Sequence, residues 1–182
     1  GDIDRLTAAL AAHDALYIAD GHHRAAAASR VAAARRAANP DLSGAASSNW
    51  FLSVIFPHDQ MQILPYNRLV RDLHGLTPAS FLERLAGAFT VNPTDGPVQP
   101  TAPGRFGLYL AGHWYRLDSD PTRLPAADPV GRLDVSLLQD RVIGPILGIA
   151  DPRRDDRIDF VGGIRGLTPL SARVDSGEMA VA

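Results

Sequence analysis

The spacing of apolar residues predicts three elements in the first forty residues. Ile3, Leu6 and Leu10 recur at helical intervals and predict a short helix over 4–12. The apolar run 15–19 predicts a strand. The alanine-rich segment after it predicts a helix over 21–38, because alanine has the highest helix propensity.

The rest of the chain alternates apolar runs with turn signals. The continuous apolar run 50–56 predicts a buried strand, with 61–64 as a second strand paired to it. Thr77-Pro78 predicts a helix start, since threonine caps a helix and proline fits its first position. The other predicted elements are a loop at 92–103, a hairpin of strands 106–110 and 113–117, a linker at 121–129, a helix over 134–147 kinked or ended at Gly144-Pro145, a strand at 157–161, a helix from 168 and a strand at 178–182.

Predicted helices and predicted strands alternate along the chain, so the sequence predicts a mixed α+β domain. At 182 residues the chain is read as one domain over 1–182, with a subdivision near 93–104 in a stretch rich in proline, glycine and threonine. The abrupt start and the short terminal strand suggest a fragment of a longer protein.

Composition narrows the chemistry. The chain has no cysteine, which excludes disulfides, zinc–thiolate sites and a cysteine nucleophile within it. All 18 basic residues are arginine, so a Walker-type phosphate loop and a Schiff-base lysine are excluded too. A net charge of −2 argues against general nucleic-acid binding. Without a membrane-length apolar run or a signal peptide, we expect a cytoplasmic protein with no membrane partner.

The most informative stretch is Asp20-Gly21-His22-His23-Arg24, which follows the predicted strand 15–19 and opens the long helix. The first backbone N–H groups of a helix carry partial positive charge and favour an anion. A guanidinium and two imidazoles in the same turn complete the pattern of a phosphate site.

Two interpretations of this turn remain open. In the structural one, Asp20 caps the helix, Gly21 turns the chain, and the next three side chains are solvated. Two features favour the functional one. Ligand crevices of α/β units lie where strands end, and positive side chains in a first helical turn oppose the helix dipole, a cost that an anion would remove.

Three further candidates accompany the turn. Asn67 and Arg68 supply either a second arm of the anion site or an ordinary surface turn. The glycines of 162–166 either let a backbone approach a ligand or meet a need for positive φ. A metal site is the third candidate. Neighbouring helical residues point about 100° apart, so His22 and His23 are poorly placed to chelate one ion together. A magnesium ion held mainly by phosphates, with Asp20 as its protein ligand, fits better.

The turn at 17–24 resembles the family called domain of unknown function 1015. Support comes, in order, from 54–57, 63–68 and 159–163. The chain departs from that family at Ala25, where an aromatic residue is common, and at Asn67, where histidine is common. A C-terminal block of the family rich in proline, lysine and tryptophan is missing.

More distantly, the turn is similar to the phosphate motif of the ParB/sulfiredoxin superfamily, which includes a CTP-binding partition protein, sulfiredoxin and a free serine kinase. The resemblance implies a ParB/sulfiredoxin-like core with an added β-hairpin and helices. In those relatives a Gly-x-x-Arg turn holds nucleotide phosphates. The kinase's catalytic carboxylate lies in an N-terminal segment, and no base is assigned here. Sulfiredoxin chemistry needs a cysteine and is excluded.

We therefore expect a nucleotide-binding protein that acts in phosphoryl transfer or NTP hydrolysis on a small-molecule substrate, with ATP, ADP or CTP and Mg²⁺ as cofactors. Gly21, His22, His23 and Arg24 would hold phosphates, with Asn67 and Arg68 as weaker contacts. Asp20 and His22 are the candidate catalytic residues, and Asp20 is the candidate metal ligand. The alternative is a non-catalytic, nucleotide-switched partition or DNA-associated module. A homodimer is compatible with either.

Overall fold

The structure, a computed structural model, describes residues 1–124 and 127–182. It divides into two compact units, Gly1–Met61 and Gln62–Ala182. The described residues contain five α-helices and five β-strands in two small sheets, which confirms the predicted mixed α+β class. The subdivision expected near 93–104 falls within the second unit, largely in the connection between two of its strands.

The first unit consists of helices and extended segments. Helix α1 spans Asp2–Ala11, and α2 spans His22–Ala38, close to the predicted bounds. Single turns of 3₁₀-helix follow at Ser47–Asn49 and His58–Gln60. Ala32 is the one buried hydrophobic residue of this unit, all of which the structure describes.

The three strands predicted for the first sixty-four residues are wrong. Residues 15–19, 50–56 and 61–64 join no β-ladder, and all of them are exposed. A strand needs a neighbour for its backbone N–H and C=O groups. Within residues 1–61, all described, no second strand is present to pair with. Helix α2 therefore begins after an exposed segment without regular secondary structure rather than after a buried strand.

The second unit contains all five strands. Strands β1 (Tyr66–Val70) and β5 (Ile158–Gly162) pair antiparallel, and Arg68 lies opposite Phe160. Strands β2 (Phe89–Thr94), β3 (Arg105–Leu110) and β4 (His113–Ser119) form an antiparallel sheet in the order β2-β4-β3. The predicted hairpin is β3–β4. The predicted loop at 92–103 is wrong at its start, because β2 continues to Thr94.

The helices of the second unit follow the sequence signals closely. Helix α3 spans Pro78–Ala86, and the Thr77 hydroxyl accepts the Ser80 N–H at 3.2 Å as predicted for a cap. Helix α4 spans Asp134–Leu138, continues as a π-helical turn over Gln139–Ile143 and ends before Gly144-Pro145. Helix α5 spans Thr168–Asp175. The linker predicted at 121–129 includes residues 125 and 126, which lie outside the described residues.

The core of the second unit lies on both faces of the β1–β5 pair. One cluster includes Val70, Phe81, Leu85, Leu110 and Ile149, and the other includes Leu69, Tyr109, Trp114, Leu170 and Met179. The segment expected to form a terminal strand instead makes isolated bridges: Val181 pairs with both Val70 and Leu110. The end of the chain thus links the two small sheets.

Across the described ranges, no helix combines the length and the apolar character needed to span a bilayer.

Candidate functional site

The turn at 20–24 is exposed at the start of α2. Gly21 is the N-cap and adopts the left-handed conformation, with φ 81° and ψ 26°, which glycine reaches without steric cost. It offers no side-chain oxygen to the first helical N–H groups, and the first turn contains no acidic residue. His22, His23 and Arg24 are all exposed. The positive end of a 17-residue helix therefore faces solvent without a protein anion in its first turn.

Asp20 and Arg24 form an ion pair across this turn. The Arg24 Nη2 atom donates to Asp20 Oδ2 at 3.2 Å, and the guanidinium lies over Gly21. Both side chains are mostly exposed. An exposed ion pair of this type contributes roughly 0–1 kcal/mol, because water and salt screen it. Arg24 can therefore exchange Asp20 for a ligand anion at small cost.

The structure removes one of the two arguments for this turn and leaves the other. No strand precedes it, so the strand-end argument does not apply. The unfavourable placement of basic residues against the helix dipole is observed directly. Asp20 supplies a hard carboxylate oxygen of the kind that Mg²⁺ accepts. No group of three or more His, Asp or Glu side chains suited to hold a metal occurs among residues 1–124 and 127–182.

Asn67 and Arg68 lie in the second unit, on β1. Adjacent residues of a strand point to opposite faces, so these two side chains point away from each other. Asn67 shares its face with Leu69 and Val161 of one core cluster, whereas Arg68 shares its face with Phe160. The Asn67 Nδ2 atom is buried and finds no acceptor within the described part of the chain. One ligand group cannot lie between these two side chains.

Arg68 is held by aromatic rings. The Tyr66 and Phe160 rings stack with centroids 5.1 Å apart and an interplanar angle of 11°. The Arg68 guanidinium carbon lies 5.7 Å from each centroid, within cation–π range. Its Nη1 also donates to the Tyr66 carbonyl. Burial lowers the pKa of Arg68, since it disfavours the charged form, although the nearby Tyr66 acts in the opposite direction.

Arg68 also lines a cleft of about 750 Å³ in the second unit, which is within the range of about 300–1,000 Å³ typical of small-molecule sites. Phe160, its cross-strand partner, also lines the cleft, together with residues around α4 and residues of the turn before β5. The charged residues that line the cleft are Arg68, Asp128, Asp140, Asp151 and Arg153.

Two of the family-like motifs are thus neighbours in space, which the sequence did not indicate. The motif at 63–68 runs into β1, and the motif at 159–163 forms most of β5, so the two motifs meet in one antiparallel strand pair. Sequence reasoning singled out Arg68 but missed Tyr66 and Phe160 as its partners. The alternation of aromatic and arginine residues in Tyr66-Asn67-Arg68 was the available signal, since residues two apart on a strand share a face.

Gly163 and Gly166, from the glycine-rich stretch 162–166, have structural roles. Gly163 donates its N–H to the Pro65 carbonyl at 2.7 Å, so the close approach is between two backbones. Gly166 has φ 69° and supplies the positive φ at this loop.

The comparisons place the chain in a family. Residues 1–136 match the family model described as Protein of unknown function (DUF1015), and the chain belongs to that family. The matched range includes the turn at 20–24 and β1, and it ends before β5. No curated protein and no solved structure matches the chain significantly.

Proposed function

We propose that the protein binds a nucleotide through the turn at 20–24 and uses it in phosphoryl transfer or NTP hydrolysis on a small molecule. The Gly21 N–H, the two imidazoles and the Arg24 guanidinium hold the phosphates. The observation that carries the proposal is the exposed, uncapped start of α2, where three side chains able to bind an anion stand at the positive helix end.

The local energetics support an anionic ligand. Without one, the Arg24 guanidinium stands against the helix dipole, and the charge that opposes it is the exposed carboxylate of Asp20, which precedes the N-cap. A phosphate reverses the sign of that interaction and adds charge-assisted hydrogen bonds. To contact the phosphate, Arg24 has to break only its weak, exposed ion pair with Asp20.

Magnesium fits the same arrangement in a limited way. When bound, the ion neutralises phosphate charge during phosphoryl transfer. Asp20 would hold it together with phosphate oxygens and water. Release of Arg24 from Asp20 would free the guanidinium for phosphate and the carboxylate for the ion. His22, the other candidate catalytic residue, would stand beside the phosphates, where an imidazole can accept or donate a proton.

The proposal includes a distant kinship with ParB/sulfiredoxin-like proteins, whose Gly-x-x-Arg turn corresponds to Gly21–Arg24 here. The proposed site comprises the turn at 20–24 alone, because Asn67 and Arg68, predicted from the sequence as weaker contacts, belong to the second unit.

Titration calorimetry with ATP, ADP and CTP, each with Mg²⁺, tests the proposal. We expect at least one nucleotide to bind the wild-type chain, and Arg24→Ala to weaken that binding at least about tenfold, the loss of one charge-assisted contact. Arg36→Ala, an exposed arginine at the other end of α2, is the matched control and should bind normally. Binding equally strong in both variants, or none in the wild type, contradicts the proposal. Salt-dependent binding of DNA in a gel shift would favour a partition-type regulator instead.

A further inference from the structure

The Arg68 guanidinium is half buried and forms no ion pair with the described residues. No carboxylate of the described residues lies within 4.0 Å of its guanidinium, whereas Arg153 in the same cleft is held by both oxygens of Asp151 at 2.9 and 3.1 Å. Burying a charge without a partner is unfavourable. An unpaired guanidinium at the wall of a cleft marks a place where an anion from solution binds.

The aromatic rings prepare this guanidinium for such a ligand. Tyr66 and Phe160 lie on the same face of the β1–β5 pair as Arg68, because Phe160 is its cross-strand partner and Tyr66 precedes it by two. The hydrogen bond from Nη1 to the Tyr66 carbonyl fixes one edge of the plane. A planar group held in this way loses little entropy when it forms a forked contact to an oxyanion.

Other lining residues of the cleft supply polar groups for the rest of a ligand. Ser136 and Asp140 line the cleft from α4 and its π-helical continuation. The π geometry is seen in the 2.9 Å hydrogen bond from the Gly144 N–H to the Gln139 carbonyl, five residues back. Such π turns occur frequently at functional sites. A cleft lined by a cation, a hydroxyl and a carboxylate suits a molecule with an anionic end and a hydroxylated end.

We propose that this cleft is a second binding site, which takes a small hydroxylated molecule carrying a carboxylate or a phosphate. The oxyanion lies against Arg68, and the ligand hydroxyls donate to Asp140 and exchange hydrogen bonds with Ser136. All of these residues belong to the second unit. The site therefore shares no residue with the turn at 20–24.

Amide NMR titrations of the full chain test this site with three probes. Glycerol 3-phosphate carries a phosphate and hydroxyls, glycerate carries a carboxylate and hydroxyls, and glycerol carries hydroxyls alone. We expect at least one of the two anions to give saturable shifts at 66–68, 136–140 and 158–160. Which anion binds more tightly decides between phosphate and carboxylate. Glycerol should give none, because the contact with Arg68 is missing.

Two variants isolate the guanidinium. Arg68→Met keeps the apolar stem and should weaken binding at least about tenfold, since charge-assisted hydrogen bonds are lost. Arg84→Met removes an exposed arginine of α3 and should leave binding unchanged. If the first variant does not fold, Arg68→Lys keeps the charge without the planar fork and should still weaken binding measurably.

Arg24→Ala separates this proposal from the proposed function, because it should leave the cleft shifts intact while removing nucleotide binding. The second site is overturned if neither anion gives saturable shifts there, if glycerol binds as well as the anions, if Arg24→Ala abolishes the shifts, or if the Arg68 variant that folds binds like the wild type.

Discussion

Gly163 and Pro65 are in closer backbone contact than any residue with a side chain would permit at position 163. The Gly163 N–H donates to the Pro65 carbonyl at 2.7 Å, and a Cβ atom added to Gly163 would lie 2.6 Å from that oxygen. This contact joins the start of β1 to the end of β5. It therefore supports the strand pair on which Arg68 and Phe160 are placed.

Gly163→Ala should destabilise the protein by about 1–3 kcal/mol, because the backbones must separate and the hydrogen bond weakens. Gly162→Ala is the matched control: its φ is −63°, and a Cβ there meets no atom within 4 Å. Thermal unfolding should show a lower midpoint for the first variant and little change for the second. Equal midpoints would show that the close contact does not limit this position.

The two Thr-Pro pairs should respond differently to substitution. The Thr77 hydroxyl accepts the Ser80 N–H at 3.2 Å, whereas Thr168 is the first residue of α5 and its side chain caps nothing. Thr77→Ala should cost about 1 kcal/mol through the lost cap. Thr168→Ala should change stability by less than about 0.5 kcal/mol. Urea unfolding of both variants measures the difference, and a larger loss at 168 would contradict the assignment of the cap.

Acid should destabilise the second unit through the ion pairs of Arg173. This guanidinium lies 2.7 Å from Asp159 and also contacts Glu178. The Phe160 N–H and then Arg173 lower the pKa of Asp159, and Arg173 lowers the pKa of Glu178. Because the folded pKa values lie below the unfolded ones, the stabilisation is present above about pH 5 and disappears as pH falls through the folded values.

Arg173→Gln should therefore flatten the acid limb of stability against pH. Some slope should survive, since the Phe160 N–H still holds the carboxylate form of Asp159 at 2.7 Å. Arg165→Gln, an exposed arginine with no ion pair among the described residues, should retain the full slope. Urea midpoints between about pH 3 and pH 7 make the comparison. Parallel curves for the two variants would contradict the assignment.

The two tryptophans should report opposite environments. Trp50 is 72% exposed, whereas Trp114 is 8% exposed and packs against Tyr109. Trp114→Phe should leave fluorescence that resembles free tryptophan and that acrylamide quenches strongly. Trp50→Phe should leave blue-shifted, protected emission. A protected Trp50 would show that the run 50–56 is buried after all.

Local signals in the sequence were reliable where a few neighbouring residues determine the structure. Ala111 and Gly112 join β3 to β4 and both have positive φ, as a tight hairpin turn requires. Thr77 and Pro78 begin α3 by the mechanism inferred from their chemistry. The prediction of a buried strand at 50–56 was wrong. An apolar run is buried only if other elements cover it, and it forms a strand only if another strand pairs with it.

The candidate sites also differ in whether neighbouring or distant residues determine them. The turn at 20–24 could be singled out because its five residues are consecutive, and its role as a phosphate site stays a prediction. The surroundings of Arg68 could not be predicted from the sequence, because Phe160 is distant along the chain. Nothing local specifies which strand pairs with β1 or in which register. Once that register is known, strand alternation places Arg68 and Asn67 on opposite faces.

The most direct test of the account follows the backbone amides of residues 21–24 by NMR as MgATP, MgADP or MgCTP is added. We expect saturable shifts of these amides with at least one nucleotide, together with the loss of those shifts in Arg24→Ala. Nucleotide binding that leaves these amides unchanged, or no binding at all, would contradict a phosphate site at the start of α2.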